Sequence, residues 1–168
     1  MDRIIVLDFG GQYAHLIARR IRDLGFYSEI LPFDIDIEKL REKSPQGIIL
    51  SGGPSSVYEE ESPKVSEGFF DYLKQQGIPT LGICYGHHLI VHQLRGTIEP
   101  HDKKEYGKTE LEILNPNGLF RTFEEKEIAW MSHGDQVKSL PEGFTVLAKT
   151  DTCPIAAYKD EKGIFFGV

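Results

Sequence analysis

The sequence predicts an α/β fold in which a doubly wound, mostly parallel sheet lies between helices, with a strand-rich second half. Short apolar runs alternate with segments of helical periodicity through residues 1–96, as in chains whose parallel strands are joined by right-handed crossover helices. Glycine-rich segments follow several of these runs directly. We therefore expect these segments at the carboxyl ends of strands, where α/β proteins place their active sites.

The first half begins with a predicted strand over residues 4–9, an apolar, β-branched run that indicates burial on both faces of the sheet. Apolar residues at helical spacing then predict a helix over 12–24, with Gly25 as its C-terminal cap. The cycle repeats with a strand at 27–31, a short helix at 35–42 and a strand at 47–50.

The next segments complete this alternation and then depart from it. Ser62-Pro63 predicts the start of a third helix, which Gly77 ends, and residues 79–83 predict a fourth strand. Beyond Gly96 the apolar segments are strand-like: 109–114, 127–130, 144–148, 155–158 and 164–168. No linker or internal repeat interrupts the chain, so its 168 residues are predicted to form one domain.

Composition excludes several classes of function. The chain has 26 acidic and 19 basic residues, a net charge of −7, and no segment that concentrates Lys and Arg, so nucleic acid is not an expected partner. Its two cysteines, Cys84 and Cys153, are too few for a disulfide framework. No long apolar segment predicts a signal peptide or a membrane span. We therefore expect a cytoplasmic protein without membrane contact.

The strongest chemical signal is the segment Gly82-Ile83-Cys84-Tyr85-Gly86, where a predicted strand meets a helix. This spacing is typical of a nucleophile elbow, a tight turn that exposes the nucleophile at the end of its strand. The N-terminus of the following helix is expected to lower the pKa of the Cys84 thiol. The alternative is a free, buried cysteine that ends a core strand.

A second glycine-rich turn, Ser51-Gly52-Gly53-Pro54, follows the third predicted strand. In a doubly wound sheet it would lie beside Cys84 and present backbone N–H groups that complete an oxyanion hole. The alternative is an ordinary glycine-rich turn. Neither of the two common phosphate-binding glycine motifs occurs in the sequence, so we assign no nucleotide to this chain.

Three potential metal ligands, Cys84, His88 and His92, are spaced four residues apart. The segment lacks the glutamate of the zinc-protease motif and an evident fourth ligand, and Cys84 lies at the turn rather than within the helix. We therefore predict no metal site. Packed or solvated side chains are the expected role of His87 and His92.

Four ordered segments resemble the class I glutamine amidotransferases: LDFGGQY, LSGGP, GICYGHHLI and WMSHGDQV. The first and last are most similar to the glutaminase part of GMP synthetases. The resemblance implies a flavodoxin-like sheet in which Cys84 attacks the side-chain amide of glutamine and ammonia is released. It further implies that Gly53 and Tyr85 supply the oxyanion-hole N–H groups, and that the residues that bind glutamine are Gly52, His88, Ser132, His133 and Asp135.

The resemblance also implies a partner, an ATP-pyrophosphatase subunit or domain of GMP synthetase, to which ammonia passes for the conversion of XMP to GMP. ATP and Mg are expected only in that partner, and no cofactor is expected in this domain. Without the resemblance, the segment 132–135 would be interpreted as a polar turn after a strand at 128–131.

Two departures from the family bear on activity. His88 stands where the family usually has a glutamine that holds the substrate, so it either replaces part of that hydrogen bonding or changes substrate preference. The family also continues from a strand like 164–168 into Gln-Phe-His-Pro-Glu, which contains the catalytic base, whereas this sequence ends first. The domain is therefore predicted to be incomplete at its C-terminal end. His88 and His133 are the alternative candidates for the base.

Three functions remain open at this stage. The first is the glutaminase of a GMP synthetase. The second is a catalytically deficient module of the same fold that binds glutamine or a partner without releasing ammonia. The third is an unrelated cysteine hydrolase on a similar sheet, which the elbow alone permits.

Overall fold

The computed structural model describes residues 2–116 and 118–168, and for residues 101–106, 132 and 133 it describes the backbone alone. This part of the chain contains four helices: α1 (Ala14–Asp23), α2 (Ile37–Lys43), α3 (Phe69–Gln76) and α4 (Tyr85–Gln93). It also contains nine strands: β1 (Arg3–Asp8), β2 (Tyr27–Pro32), β3 (Gly47–Leu50), β4 (Thr80–Gly82), β5 (Thr97–Ile113), β6 (Lys126–Ser139), β7 (Phe144–Lys149), β8 (Ala157–Asp160) and β9 (Phe165–Gly167).

All nine strands belong to one sheet, in the order β2-β1-β3-β4-β9-β8-β7-β5-β6. The pairs from β2 to β9 are parallel, and the pairs from β9 to β6 are antiparallel. The predicted α/β class and the strand-rich second half are both confirmed. Because the last strand, β9, inserts next to β4, the end of the chain lies at the centre of the sheet.

Helices cover both faces of the parallel part, as the continuous apolar character of β1 predicts. Val6 packs with Ala14 and Ala18 of α1 on one face. Ile5 and Leu7 belong to the larger core on the other face, which also includes residues of α2, α3 and α4. Alternate side chains of a strand point to opposite faces, so one apolar run supplies both layers.

The third helix is shorter than predicted. It begins at Phe69 rather than at Ser62-Pro63, and it follows Gly68, whose φ is 78°. The hydroxyl of Ser66 donates to the carbonyl oxygens of Asp34 and Ile35, at 3.0 and 2.8 Å, so contacts distant in sequence hold this segment in a turn. The predicted helix start was therefore wrong, because tertiary hydrogen bonds outweigh the local start signal.

The two longest strands exceed their predicted lengths because they pair with each other. β5 and β6 form an antiparallel ribbon that contains the predicted strand 127–130 and all but the last residue of the predicted strand 109–114, with a register shift between Pro100 and Glu105. None of the helices in the described residues has the length and apolar character needed to cross a membrane.

Candidate active site

Cys84 lies between β4 and α4 in the turn geometry that the sequence predicts. Its φ is 51° and its ψ is −106°, a conformation that L-residues rarely adopt, and its side chain is exposed. A Cβ atom at Gly82 would lie 2.4 Å from the carbonyl oxygen of Gly86, and one at Gly86 would lie 2.4 Å from that of Leu50. Only glycine at both positions lets β4, α4 and β3 approach this closely.

Hydrogen bonds on both sides hold the backbone of Cys84. Its N–H donates to the carbonyl oxygen of Val168 at 3.0 Å, and its carbonyl oxygen accepts from the N–H of His88 at 3.1 Å. The N–H of Val168 in turn donates to the carbonyl oxygen of Gly82 at 3.0 Å. The turn is thus attached to the end of β9 and to the first turn of α4.

The Gly52-Gly53 segment lies directly beside the turn, as predicted. A Cβ atom at Gly52 would lie 3.5 Å from the Cβ atom of Cys84, and one at Gly53 would lie 2.4 Å from the carbonyl oxygen of Phe9. The hydroxyl of Ser51 accepts the N–H of Phe9 at 3.0 Å and fixes the start of this segment. Among the described residues, the backbone hydrogen bonds of turns, loops and helix caps do not involve the N–H of Gly53 or the N–H of Tyr85.

Two pockets meet at Cys84. The polar pocket, of about 790 Å³, has walls that include segments 10–13 and 52–56. It brings together six of the eight predicted site residues: Gly52, Gly53, Cys84, Tyr85, His88 and Asp135. The apolar pocket, of about 250 Å³, has walls from β6, α4 and the segment before β8, and it shares Ile83, Cys84, His88 and Asp135 with the polar pocket.

Asp135 is held by two hydroxyl groups that the sequence analysis did not single out. The hydroxyl of Ser56 donates to its Oδ2 at 2.5 Å, and the hydroxyl of Tyr58 donates to its Oδ1 at 2.8 Å. These bonds join the loop after β3 to β6 across 79 and 77 residues of sequence. No local pattern signals a contact at such separation.

Ser132 and His133, the other two predicted site residues, lie in β6, and their side chains fall outside the described residues. The backbone of this segment is a strand that continues to Ser139. The interpretation of residues 132–135 as a polar turn was therefore wrong, because pairing with β5 extends the strand.

The histidines of α4 differ in their surroundings. His87 is buried and packs against Tyr158, with ring centroids 4.7 Å apart, and its carbonyl oxygen accepts the Tyr158 hydroxyl at 2.6 Å. His88 is also buried but lines both pockets. The packed role expected of His87 is confirmed. Among the described side chains, which exclude those of residues 101–106, 132 and 133, no group of three or more His, Cys, Asp or Glu could hold a metal ion.

Comparison with known proteins decides the family. Residues 5–168 match the family model described as Glutamine amidotransferase class-I. The chain belongs to the class I glutamine amidotransferases. It is 48% identical over 168 residues to the GMP synthase [glutamine-hydrolyzing] of Brachyspira hyodysenteriae, with 100% of this chain and 32% of that protein covered. It is 50% identical to the protein of the same name from Lactobacillus johnsonii, with 99% of this chain and 32% of that protein covered.

Solved structures agree with this assignment. A protein from Thermoplasma acidophilum described as a GMP synthase subunit has a TM-score of 0.84 and 28% identity, with 100% of this chain and 82% of that chain covered. A glutamine amidotransferase from Thermotoga maritima has a TM-score of 0.75 at 20% identity, with 99% of this chain and 74% of that chain covered. This likeness supports the fold alone. The amidotransferase chain described here spans about a third of the length of the curated relatives that it matches.

The pKa of the Cys84 thiol in this amidotransferase domain contradicts the sequence prediction. Desolvation raises the pKa above the ordinary value of cysteine, although one side of the side chain is exposed. The prediction was wrong because desolvation depends on atoms from several segments, including the apolar pocket wall, that a local motif does not specify.

Proposed function

We propose that this domain hydrolyses the side-chain amide of glutamine, with Cys84 as the nucleophile. The observation that carries the proposal is the strained turn at Cys84, which opens into the same pocket as Gly53, Tyr85 and Asp135. A side chain held in this way can reach a bound amide carbon. Membership of the amidotransferase family supports glutamine as the source of that amide.

The proposed reaction has two stages. The sulfur of Cys84 attacks the amide carbon, and the oxyanion that forms accepts hydrogen bonds from the N–H groups of Gly53 and Tyr85. The C–N bond then breaks, the amide nitrogen takes up the proton that the Cys84 thiol has lost and leaves as ammonia, and a γ-glutamyl thioester remains. Water hydrolyses the thioester to glutamate and restores the thiol. A preorganised oxyanion donor contributes about 3–4 kcal/mol in comparable sites.

We assign glutamine binding to the polar pocket. Asp135 is the only acidic side chain among the described residues that line this pocket, so it would accept the α-ammonium group of the substrate. Gly52 and His88 lie near Cys84 and would contact the reacting end or the chain of glutamine. Ser132 and His133 complete the proposed set on the strength of the family resemblance.

A general base is needed because the thiolate is the nucleophile, so the Cys84 thiol must lose its proton as it attacks the amide. We propose that residues that follow β9 in longer relatives supply it. The position of Val168 supports this assignment, since its carbonyl oxygen accepts the N–H of Cys84 at 3.0 Å. A histidine shortly after this strand would be near the nucleophile.

We further propose that the released ammonia passes to an ATP-dependent synthetase unit that converts XMP to GMP. The names of the relatives and the fraction of their length that this chain spans, 32%, support this partner. ATP and Mg would belong to that unit, and we assign no cofactor to the present domain.

A glutamine-binding module without turnover is the second candidate. His88 favours it, since this residue lines both pockets at Cys84 and stands where the family usually has a glutamine that holds the substrate. It predicts that glutamine binds while no ammonia is released.

Ammonia release from glutamine distinguishes the two candidates. The assay uses this chain and a chimera in which it is followed by the part of the Brachyspira hyodysenteriae protein beyond the match, each with and without Cys84→Ser. We expect release by the chimera, at least a hundredfold above the Cys84→Ser chimera. Release that persists after Cys84→Ser would contradict the nucleophile assignment, and glutamine binding without release in either chain would favour the binding module.

A further inference from the structure

The loop after β3 carries two hydroxyl groups that are aimed at a single carboxylate. Ser56 and Tyr58 donate to the two different oxygens of Asp135, at 2.5 and 2.8 Å. A carboxylate offers about four lone-pair sites on its two oxygens, so two hydroxyl donors do not by themselves saturate it. Because the two hydroxyls approach different oxygens, they fix the plane of the carboxylate.

The loop that carries these hydroxyls is anchored in the protein core. Val57, which lies between them in sequence, is 1% exposed and belongs to the main hydrophobic cluster. The hydroxyl of Ser62 donates to the carbonyl oxygens of Val57 and Glu59, at 3.3 and 2.7 Å. Because the loop is held on its inner side, the hydroxyls of Ser56 and Tyr58 have defined positions.

The ionisation of Tyr58 is compatible with a role as donor. Its interaction with Ser56 lowers the pKa, but the hydrogen bond to Asp135, desolvation and nearby negative charge raise it, and the net result is a pKa above that of an ordinary tyrosine. The phenol is therefore protonated at neutral pH and can donate to the carboxylate.

We infer that Ser56 and Tyr58 are positioning residues that orient Asp135 toward the α-ammonium group of the substrate. They thereby make the site selective for amides that carry a free α-amino group. The inference rests on the proposed glutamine site and extends it to two residues of a different loop. Asp135 is the only acidic side chain among the described residues of either pocket, so its orientation determines where an ammonium group can bind.

A purely structural role for these hydroxyls makes a different prediction. If the hydroxyls only attach the loop to β6, their loss would weaken the binding of every ligand of the pocket to a similar extent. If they orient Asp135, their loss would weaken the binding only of ligands with an ammonium group. A pair of ligands that differ in this group alone separates the two cases.

Calorimetric titration of the 168-residue chain with glutamine and with 4-carbamoylbutanoate, which is glutamine without its α-amino group, tests the inference. We expect Ser56→Ala and Tyr58→Phe each to weaken glutamine binding about five- to tenfold. The affinity for 4-carbamoylbutanoate should change less than twofold. Ser56→Thr, which keeps a hydroxyl, should retain most of the glutamine affinity.

Two controls complete the design. Tyr27→Phe makes the same chemical change on β2 and should leave both affinities unchanged. In an Asp135→Asn background, Tyr58→Phe should add less than a twofold effect, because the carboxylate that it orients is gone. Equal losses for both ligands, or no loss for glutamine, would overturn the inference. Failure of the unaltered chain to bind glutamine would instead contradict the proposed substrate.

Discussion

The N–H of Cys84 and the carbonyl oxygen of Val168 form a hydrogen bond of 3.0 Å. This bond places the end of β9 directly beside the exposed cysteine. The parallel pairing of β4 with β9, which aligns Gly82 with Gly167, maintains the same arrangement. The geometry of the nucleophile turn therefore depends on a strand about 80 residues away in sequence, and that strand depends on the β8–β9 hairpin.

The hairpin before β9 should be sensitive to the loss of one buried carboxylate. Asp160 is 8% exposed, and its Oδ1 accepts the N–H groups of Ile164 and Phe165, each at 2.7 Å. Asp160→Ala leaves both donors without this acceptor, and we expect the free energy of unfolding to fall by about 2–3 kcal/mol. Urea denaturation measures this loss. Asp160→Asn, which keeps an oxygen acceptor, should lose less, and equal stability of the Ala variant and the unaltered chain would contradict the role of Asp160.

Because α4 lies very close to β3, any side chain at position 86 should lower the stability of the fold considerably. A Cβ atom there would lie 2.4 Å from the carbonyl oxygen of Leu50 and 2.6 Å from its Cβ atom. We expect Gly86→Ala to lower the free energy of unfolding by about 2–3 kcal/mol, because the backbone at Leu50 or at position 86 must shift to make room for the methyl group. Gly47→Ala is the matched control, since its nearest contacts are at 3.7 Å, and it should change stability by less than about 0.5 kcal/mol. Similar losses in the two variants would exclude the steric explanation.

The C-terminus of α4 offers a stabilising substitution. Arg95 has a φ of 73° and follows the helix in a turn where the N–H of Gly96 donates to the carbonyl oxygen of Val91 at 2.8 Å. Arg95→Gly removes the left-handed strain of a residue with a side chain and should raise the free energy of unfolding by about 1 kcal/mol. Thermal denaturation would detect the change. Arg95→Ala, which keeps the strain, should not be stabilising, and a gain in that variant would point to the arginine side chain instead.

The pH dependence of thiol reactivity should follow the raised pKa of Cys84. Only the thiolate reacts, so a raised pKa moves the rise in alkylation rate to higher pH. We expect the midpoint of the iodoacetamide reaction at Cys84, followed by peptide mass spectrometry, to lie above that of glutathione measured in parallel. Cys153, which is 4% exposed, should react slowly throughout. A midpoint for Cys84 below that of glutathione would show that the helix N-terminus outweighs desolvation.

The parts of the fold that were predicted correctly have local causes. The strand at 47–50 and the α/β alternation follow from short apolar runs, and the turn at Cys84 follows from glycines at its two flanks. The errors occur where distant segments control the outcome. The third helix starts late because Ser66 bonds to the chain near Asp34, and residues 132–135 form a strand because β5 pairs with them.

The candidate site also has features that local sequence predicts and features that only the tertiary structure shows. Local sequence was sufficient for the order of the elements, the elbow at Cys84 and the glycine segment at 52–53, because each depends on the backbone preferences of neighbouring residues. Folding was needed to show that Ser56 and Tyr58 hold Asp135 and that Val168 adjoins Cys84. It was also needed to show that the Cys84 pKa is raised rather than lowered. Hydrogen bonds between loops and the desolvation of a thiol depend on atoms brought together by folding, which no local pattern specifies.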